Sequence, residues 1–587
     1  MSVEEAQAHP WPDMGKGHPT CCFYNLELAV TQMSSPTITD NASWDETCQW
    51  PRRLLHVSSM TSHHWQPGNS YGGYSNPEYN ALSYTWGRWK LKSGQSPKVT
   101  ALHVRGIEDI WSIPRIDPDH FSVADFNEVI HATANIDLDS PVDFVWVDIA
   151  CIDQRDSSPE MASEVGRQAR IFKGANAVFI WLTTYKYDDL YDWATSLERC
   201  SATRDGMEEM VRLIDFLRQD PWFTSLWTLQ EAFLRQDATF LSRDSHIITG
   251  KDDPISAKPF QLKDLTNFVG MLHATISDST AVNYPRILAV LEKSGFQELF
   301  WGFPMVLLTA AKYRQTSPER ASDRVYGIMQ VFDLQLGSSA PGVCRSQKFE
   351  LSELQDQLGA GLLEKCPIMS QLHTHSKPAP FGKAWRVGEN SIVPGLARLL
   401  YHEMTMNGEL EPFSTLSITT IDDVVWGFVE GTSTSVKGLQ LALSEQSPSS
   451  IKSIKNATKE LYIALDTTDP TQVPELGGVP QYYWSLNQID LASHLVYSCP
   501  TMRVLLLAVF HEKKFTEKDQ KPKRAFGLLL KPEPEEHSQR PLWRRVGICL
   551  WTLSDCDYDK FKYMRTKKDA FNGVHGEEWT YIEGPFG

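Results

Sequence analysis

A C-x-x-C cysteine spacing, a basic charge balance and long apolar runs are all missing from this 587-residue sequence. Its ten cysteines form no C-x-x-C pair and no zinc-ligand spacing, which suits a reducing compartment better than a disulfide framework. Lys and Arg number 56 against 73 Asp and Glu, a net charge of −17, so nucleic acid is not expected as a principal partner. The longest clean apolar run, Val504–Phe510, is far short of the ~20 residues a membrane helix needs, so no membrane span is expected. The first residues, MSVEEAQAHPWPDMGKGHP, are acidic and lack an apolar core, so no secretory signal is expected and the protein reads as cytoplasmic. G-x-x-x-x-G-K-[ST], G-x-G-x-x-G and H-E-x-x-H are absent, which removes the common routes to nucleotide hydrolysis, dinucleotide oxidoreduction and zinc proteolysis. His63-His64 is too thin for a metal site, and no metal or resident cofactor is expected.

What is present is core material. Tryptophan occurs 19 times, tyrosine 19 and phenylalanine 26, and hydrophobic residues make up 41% of the chain, which excludes disorder throughout. Residues 1–50 read as a weakly ordered arm, 51–335 as one domain with its core blocks at 79–235 and a helical extension at 236–335, and 336–587 as a carboxy-terminal α+β region. Pro51–Val57 is a strand candidate, and 58–78, rich in Ser, His, Gly, Pro and Asn, reads as loop.

Tyr79–Thr85 reads as a strand stopping at Trp86-Gly87, and Phe144–Ile149 and Ala177–Leu182 as strands buried on both faces. Between the last two, Ser157, Ser158 and Pro159 supply helix-start chemistry. One helix follows, with Met161, Val165, Ala169 and Phe172 on its buried stripe and Glu160, Glu164, Arg167 and Arg170 on a solvated face. Gly174 ends it. Further helices are expected at 207–218 and 225–234, and antiparallel strands at Met502–Phe510, Ala525–Leu530 and Arg545–Trp551. The charged segment Glu512–Arg524 reads as a solvated hairpin loop.

Strand, helix and strand within about 40 residues make a parallel unit, and ligands of open parallel sheets bind beyond the carboxyl ends of the strands. That edge would gather Ser83, Tyr84, Trp86, Gly87 and Arg88 from the first strand, Asp148, Cys151, Asp153 and Gln154 from the second, and Trp181 from the third. The helix at Trp227 would bring Glu231 to it. Cys151 reads as a small core residue, since nothing beside it would favour a thiolate. Trp86, Trp181 and Trp227 read first as core aromatics. Glu231 has two readings of equal weight: a site carboxylate, or a helix-surface acid paired with Arg235 four residues on.

Three blocks resemble the fungal heterokaryon-incompatibility (HET) domain family. Tyr79-Asn80-Ala81-Leu82-Ser83-Tyr84-Thr85-Trp86-Gly87 is similar to its ALSYVWG block, and Val145–Gln154 to its WIDALCINQ block. Trp227-Thr228-Leu229-Gln230-Glu231 is similar to its WTLQE block, and Asp323-Arg324-Val325-Tyr326 to a frequent downstream element. Asp153 stands where the family usually has Asn, Glu164 for Gln, Phe172 for Tyr, and Ser225-Leu226 where an Arg-containing lead-in is common.

The resemblance implies a TIR-like, flavodoxin-like parallel-sheet domain followed by a helical extension and a carboxy-terminal β-rich region. It implies a role in non-self recognition with cell death as output, through self-association or another incompatibility protein. Some TIR domains cleave NAD, and the helix that carries their catalytic Glu in plants, S-x-W-C-x-x-E-L, is similar to Ser225–Ala232. On that resemblance Glu231 is the catalytic residue, NAD the substrate, and Ser83, Tyr84, Trp86, Gly87, Arg88, Asp148, Asp153, Gln154 and Trp227 the ligand-binding set. The alternative is a non-enzymatic signalling and self-association module, in which the same blocks are packing motifs.

Overall fold

A computed structural model gives the fold of the chain. It describes residues 50–85, 89–91, 99–135, 141–155, 158–200, 204–249, 258–278, 285–300, 302–316, 320–340, 343, 347–394, 397, 401, 408–445, 461–467, 488–512, 523–533, 541–553, 558–559 and 579–587. Trp86, Gly87 and Arg88, the amino-terminal arm and most of the Glu512–Arg524 loop lie outside them. The described residues divide into two compact units, one through Leu351 and one from Ser352 onward.

The first unit is built on a mixed sheet of eight strands: β1 Arg53–His56, β2 Thr61–Gln66, β3 Ser70–Tyr71, β4 Tyr74–Ser75, β5 Tyr79–Ser83, β6 Phe144–Trp146, β7 Val178–Trp181 and β8 Thr239–Leu241. Their order is β4-β3-β2-β1-β6-β5-β7-β8. β6, β5, β7 and β8 are mutually parallel, and β1 and β2 add antiparallel. The parallel strands are buried throughout, as expected of strands covered on both faces. β5 lies between β6 and β7, so the carboxyl ends of all three share one edge, and the chain runs first to one side of β5 and then to the other. In doubly wound sheets such a reversal marks where ligands are held.

The connections are helical: α1 Val123–Asn135, α2 Asp148–Cys151, α3 Pro159–Val165, α4 Gln168–Gly174, α5 Tyr187–Arg199, α6 Arg204–Leu217 and α7 Trp227–Leu234. Beyond β8 come α8 Leu262–Asp278, α9 Pro285–Ser294, α10 Phe296–Phe300, α11 Leu307–Lys312 and α12 Asp323–Tyr326.

Several expectations need correction. The stretch 58–78 is not loop: it holds β2, β3 and β4. Its polar residues take the solvent side of a narrow meander while Ser62, Trp65 and Tyr71 are buried, and Met60, Asn69 and Asn76 turn the chain with positive φ. The second buried strand stops at Trp146, and Asp148 opens a short helix. The expected single helix at 159–174 is broken at Gly166-Arg167. Nor is all of its polar face solvated: Glu160 and Arg170 stay about a third exposed, but Glu164 and Arg167 turn inward. Glu164 and Arg167 form an ion pair at 3.0 Å with both side chains 1% exposed. The Arg52 amide donates to Glu164, and Arg167 donates to the Trp50 carbonyl. Met161 and Val165 are only half-buried there. The first turns of this segment therefore face the Trp50–Arg53 stretch with a charge pair, and only Ala169 and Phe172 continue the apolar stripe into the core. β8 and α5 had no clear signal: β8 is a three-residue strand, and α5 begins at a Tyr-Asp-Asp run.

The second unit is β-rich. It opens with helix α13 Leu351–Lys365, followed by a small hairpin, β9 Thr374–His375 with β10 Ser391–Ile392. Among its described strands, β11 Gly408–Pro412, β12 Ser414–Ile421, β13 Val424–Ser435, β15 Arg503–Glu512, β16 Lys523–Pro532, β17 Trp543–Leu553 and β18 Trp579–Phe586 form one sheet, with β14 Leu461–Leu465 pairing β17. β15, β16 and β17 are antiparallel neighbours, as the sequence suggested. β13 pairs both β18 and β15, so the sheet curls back on itself. Its apolar core includes Ile463, Val504, Leu506, Val546 and Cys549. No helix among the described residues is long and apolar enough to cross a membrane.

Candidate active site

Ser83 is the last residue of β5, and its hydroxyl sits at the carboxyl edge of the parallel strands. It donates to Oε2 of Glu231 in a short hydrogen bond. It also accepts from the Trp222 indole at 2.7 Å. Tyr84 follows, and its hydroxyl donates to Oδ1 of Asp148 at 2.5 Å. The same oxygen accepts the Ile149 amide at 2.6 Å, so Asp148 both opens α2 and meets the end of β5. Adjacent residues of one strand end thus hold two acids from two different connections.

Both acids are nearly closed off from water, each 8% exposed. Burial pushes the Glu231 carboxyl up to about 8, with the Ser83 hydroxyl opposing and the Asp148 charge adding to the rise. Burial likewise pushes Asp148 up to about 7, opposed by the Tyr84 hydroxyl, the Ile149 amide and the Lys90 ammonium. Two acids that act on each other titrate as a pair. Carboxyls held near neutrality at a strand edge are the usual equipment of proton transfer or of stabilising positive charge.

Trp222 comes from a 3-10 turn, Pro221–Thr224, capped by Asp220. Asp220 accepts the Trp222 amide through one oxygen and the Thr184 amide through the other, each at 2.9 Å, tying the turn to the chain just beyond β7. The Trp222 carbonyl accepts from Thr228 of α7 at 2.6 Å and from Arg314 at 3.1 Å. Arg314 also reaches the Ser225 carbonyl at 3.4 Å, so a buried guanidinium from outside the block supports the lead-in that lacks an Arg of its own.

The expected site residues separate into groups. Ser83, Tyr84, Asp148 and Glu231 come together. Asp153 does not face them: it is buried in its own turn, with Arg155 bonded to both oxygens. Burial works to raise the Asp153 carboxyl, but that pairing holds it below the usual range. Gln154 donates to the carbonyls of Asp148 and Ile152 from the same turn, at 3.2 and 2.9 Å. Trp227 is half-buried, and burial raises the Asp323 carboxyl while the Trp227 side chain acts to lower it. Trp181 is core, stacked on Phe126 at 5.5 Å with Phe121 at 4.5 Å. Cys151 is core too, its thiol pushed up to about 12 by burial. Trp86, Gly87 and Arg88 fall outside the described residues.

The surface-pair reading of Glu231 is set aside. Arg235 turns to Asp237 at 2.8 Å and to the carbonyls of Phe172 and Ala175 at the end of α4, each at 2.8 Å. Trp222 and Asp220 were missed as site residues. Their one sequence signal is Asp220-Pro221, an acid ahead of a helix-starting proline. Among the described residues no group of acids, histidines and cysteines is placed to hold a metal.

Residues 79–231 match the family model described as Heterokaryon incompatibility protein (HET). The match opens on β5 and closes on Glu231, so it encloses the carboxylate cluster. No curated protein and no solved structure matches the chain.

Proposed function

We propose, from this HET-domain match and the acid pair inside it, that the chain serves in heterokaryon incompatibility and that its first unit cleaves the bond between nicotinamide and ribose in NAD. The observation that carries the reading is the Glu231 carboxyl. It is buried at the carboxyl edge of the parallel strands of the mixed sheet, is held by Ser83, and lies within electrostatic reach of Asp148. The parallel order, second-first-third-fourth in chain sequence, is that of a flavodoxin-like sheet, and this supports the TIR-like expectation.

The chemistry asks little of the protein. The nitrogen of the scissile bond is cationic in NAD. As the C1′–N1 bond breaks, its electron pair leaves with nicotinamide, which departs neutral, so no acid need protonate it. Positive charge grows on the ribose. An ionised Glu231 would hold a ribose hydroxyl and stabilise that charge, the electrostatic half of glycosidase catalysis. Water then adds to C1′, giving ADP-ribose and one proton. Carboxylate placement in a water-poor site is the main contribution, since each tenfold in rate needs only about 1.4 kcal/mol of differential stabilisation.

The test is nicotinamide release from NAD by the full chain, with Glu231→Gln as the control variant. Gln keeps an acceptor for Ser83 and removes the charge. Release by the wild type and a drop of at least about 100-fold in the variant, at unchanged melting temperature, is the expected result, within the range for losing one electrostatic group. Equal rates would take Glu231 out of the reaction.

A second reading rests on the burial of the blocks themselves. Every residue of Tyr79–Ser83 and of Thr228–Leu234 is buried, as packing motifs would be. On that reading the unit signals by docking, and Glu231→Gln leaves growth arrest on overexpression intact.

A further inference from the structure

We infer that Trp222 is a positioning residue of the Glu231 site, holding the Ser83 hydroxyl so that its single proton points at Oε2 and Oε1 is left as the oxygen that meets the ligand. The inference deepens the carboxylate reading above and rests on it for its kinetic part only.

A serine hydroxyl has one proton and two lone pairs, an indole has only a donor, and a carboxylate has only acceptors. The Trp222 N–H, on a side chain with 0% exposure, points at Ser83 Oγ from 2.7 Å. It fixes Oγ as an acceptor on that side. The hydroxyl proton then goes to its other neighbour, Glu231 Oε2. Ser83 itself is 2% exposed, so no bulk water competes for that proton.

The assignment holds in both ionisation states. When Glu231 is ionised, Oε2 accepts from Ser83. When it is protonated, Oε2 still accepts as the carbonyl oxygen and the acid proton sits on Oε1. No described residue hydrogen-bonds Oε1. The groups that face the carboxyl electrostatically are Asp148, from the start of α2, and Tyr84, beyond β5, with Lys90 acting in turn on Asp148.

The indole is in turn fixed by backbone. Asp220 anchors the Trp222 amide and the Thr184 amide together, and the Trp222 carbonyl is held by Thr228, one helical turn before Glu231. Trp222 therefore spans from the end of β7 to the end of β5, across the reversal point of the sheet. A ring placed only to fill the core would not need its N–H aimed at this one hydroxyl.

The test is a double-variant cycle read out as the ionisation of Glu231 in the full chain. That ionisation is obtained from the pH dependence of unfolding relative to Glu231→Gln. Trp222→Phe keeps most of the ring and removes the N–H. It should raise the apparent titration midpoint of Glu231, because the Ser83 proton is no longer aimed at the carboxylate. Ser83→Ala should raise it further. Adding Trp222→Phe to Ser83→Ala should change nothing more, since the indole acts only through the hydroxyl. Equal shifts by Trp222→Phe with and without Ser83→Ala, or no shift at all, would overturn the inference.

If Trp222→Phe does not fold, the indole N–H resonance that Ser83→Ala displaces gives the second measurement. It should move with pH in the wild type and stay still in Glu231→Gln; a resonance that ignores pH in both would equally overturn the inference. On nicotinamide release, Trp222→Phe should lower kcat about tenfold with KM little changed, the size of one hydrogen bond made stronger in the transition state. Absence of any release by the wild type would remove the enzyme reading, while the titration cycle would still decide the role of Trp222.

Discussion

Glu231 and Asp148 make the first unit sensitive to alkali. Their carboxyls are pushed up to about 8 and about 7, whereas the unfolded chain ionises them near 4. Between those limits the folded state binds more protons than the unfolded one, so stability falls as pH rises through the folded values. Unfolding of the full chain should therefore be easier at pH 8.5 than at pH 6, and the slope should be shallower in Glu231→Gln. Between pH 6 and pH 8.5 the difference attributable to one such acid is about 1–3 kcal/mol at most. Denaturant midpoints across that range check it; parallel slopes in the two proteins would mean that Glu231 is not held protonated by the fold. This sign is opposite to that of a surface carboxylate paired with Arg235, which would lose stability toward acid.

At the scale of elements, the break between α3 and α4 shows where sequence pattern stops being a guide. The apolar spacing of Met161, Val165, Ala169 and Phe172 is helical throughout, yet the helix is interrupted at Arg167, and Glu164 goes inward with it. Periodicity measures which side chains prefer to be buried; it carries no information about a charge pair whose partners, the Trp50 carbonyl and the Arg52 amide, lie more than 100 residues away. Removing one member of a buried pair leaves the other charge without its counterpart. Arg167→Met should cost ~3–5 kcal/mol of stability, and Glu164→Leu added to it should recover part of the loss. Calorimetry or denaturant unfolding decides it; a loss below about 1 kcal/mol would show the pair to be dispensable. By contrast β5, β6 and β7 were legible because parallel strands covered on both faces carry continuous apolar runs. Ser83, Tyr84, Asp148 and Glu231 were legible as strand-end and helix residues of the family blocks. Asp153 and Gln154 were not, because the hydrogen bonds that direct them lie within the irregular stretch after α2. Trp222 was hidden because its place beside the carboxylates rests on one hydrogen bond to a residue 139 positions earlier.

At the scale of the molecule, the HET match covers 79–231 and lies wholly in the first unit, while the second unit has its own β-sheet and apolar core. The proposed chemistry is thus confined to one unit, and its acid pair gives that chemistry a pH signature in the full chain. The most direct measurement is the rate of nicotinamide release from NAD as a function of pH. If ionised Glu231 stabilises the developing ribose cation, the rate should climb as pH passes through about 7 to 8, with apparent midpoints that belong to the pair, and should collapse at every pH in Glu231→Gln. A rate indifferent to pH in that window, or one that Glu231→Gln leaves unchanged, would contradict it.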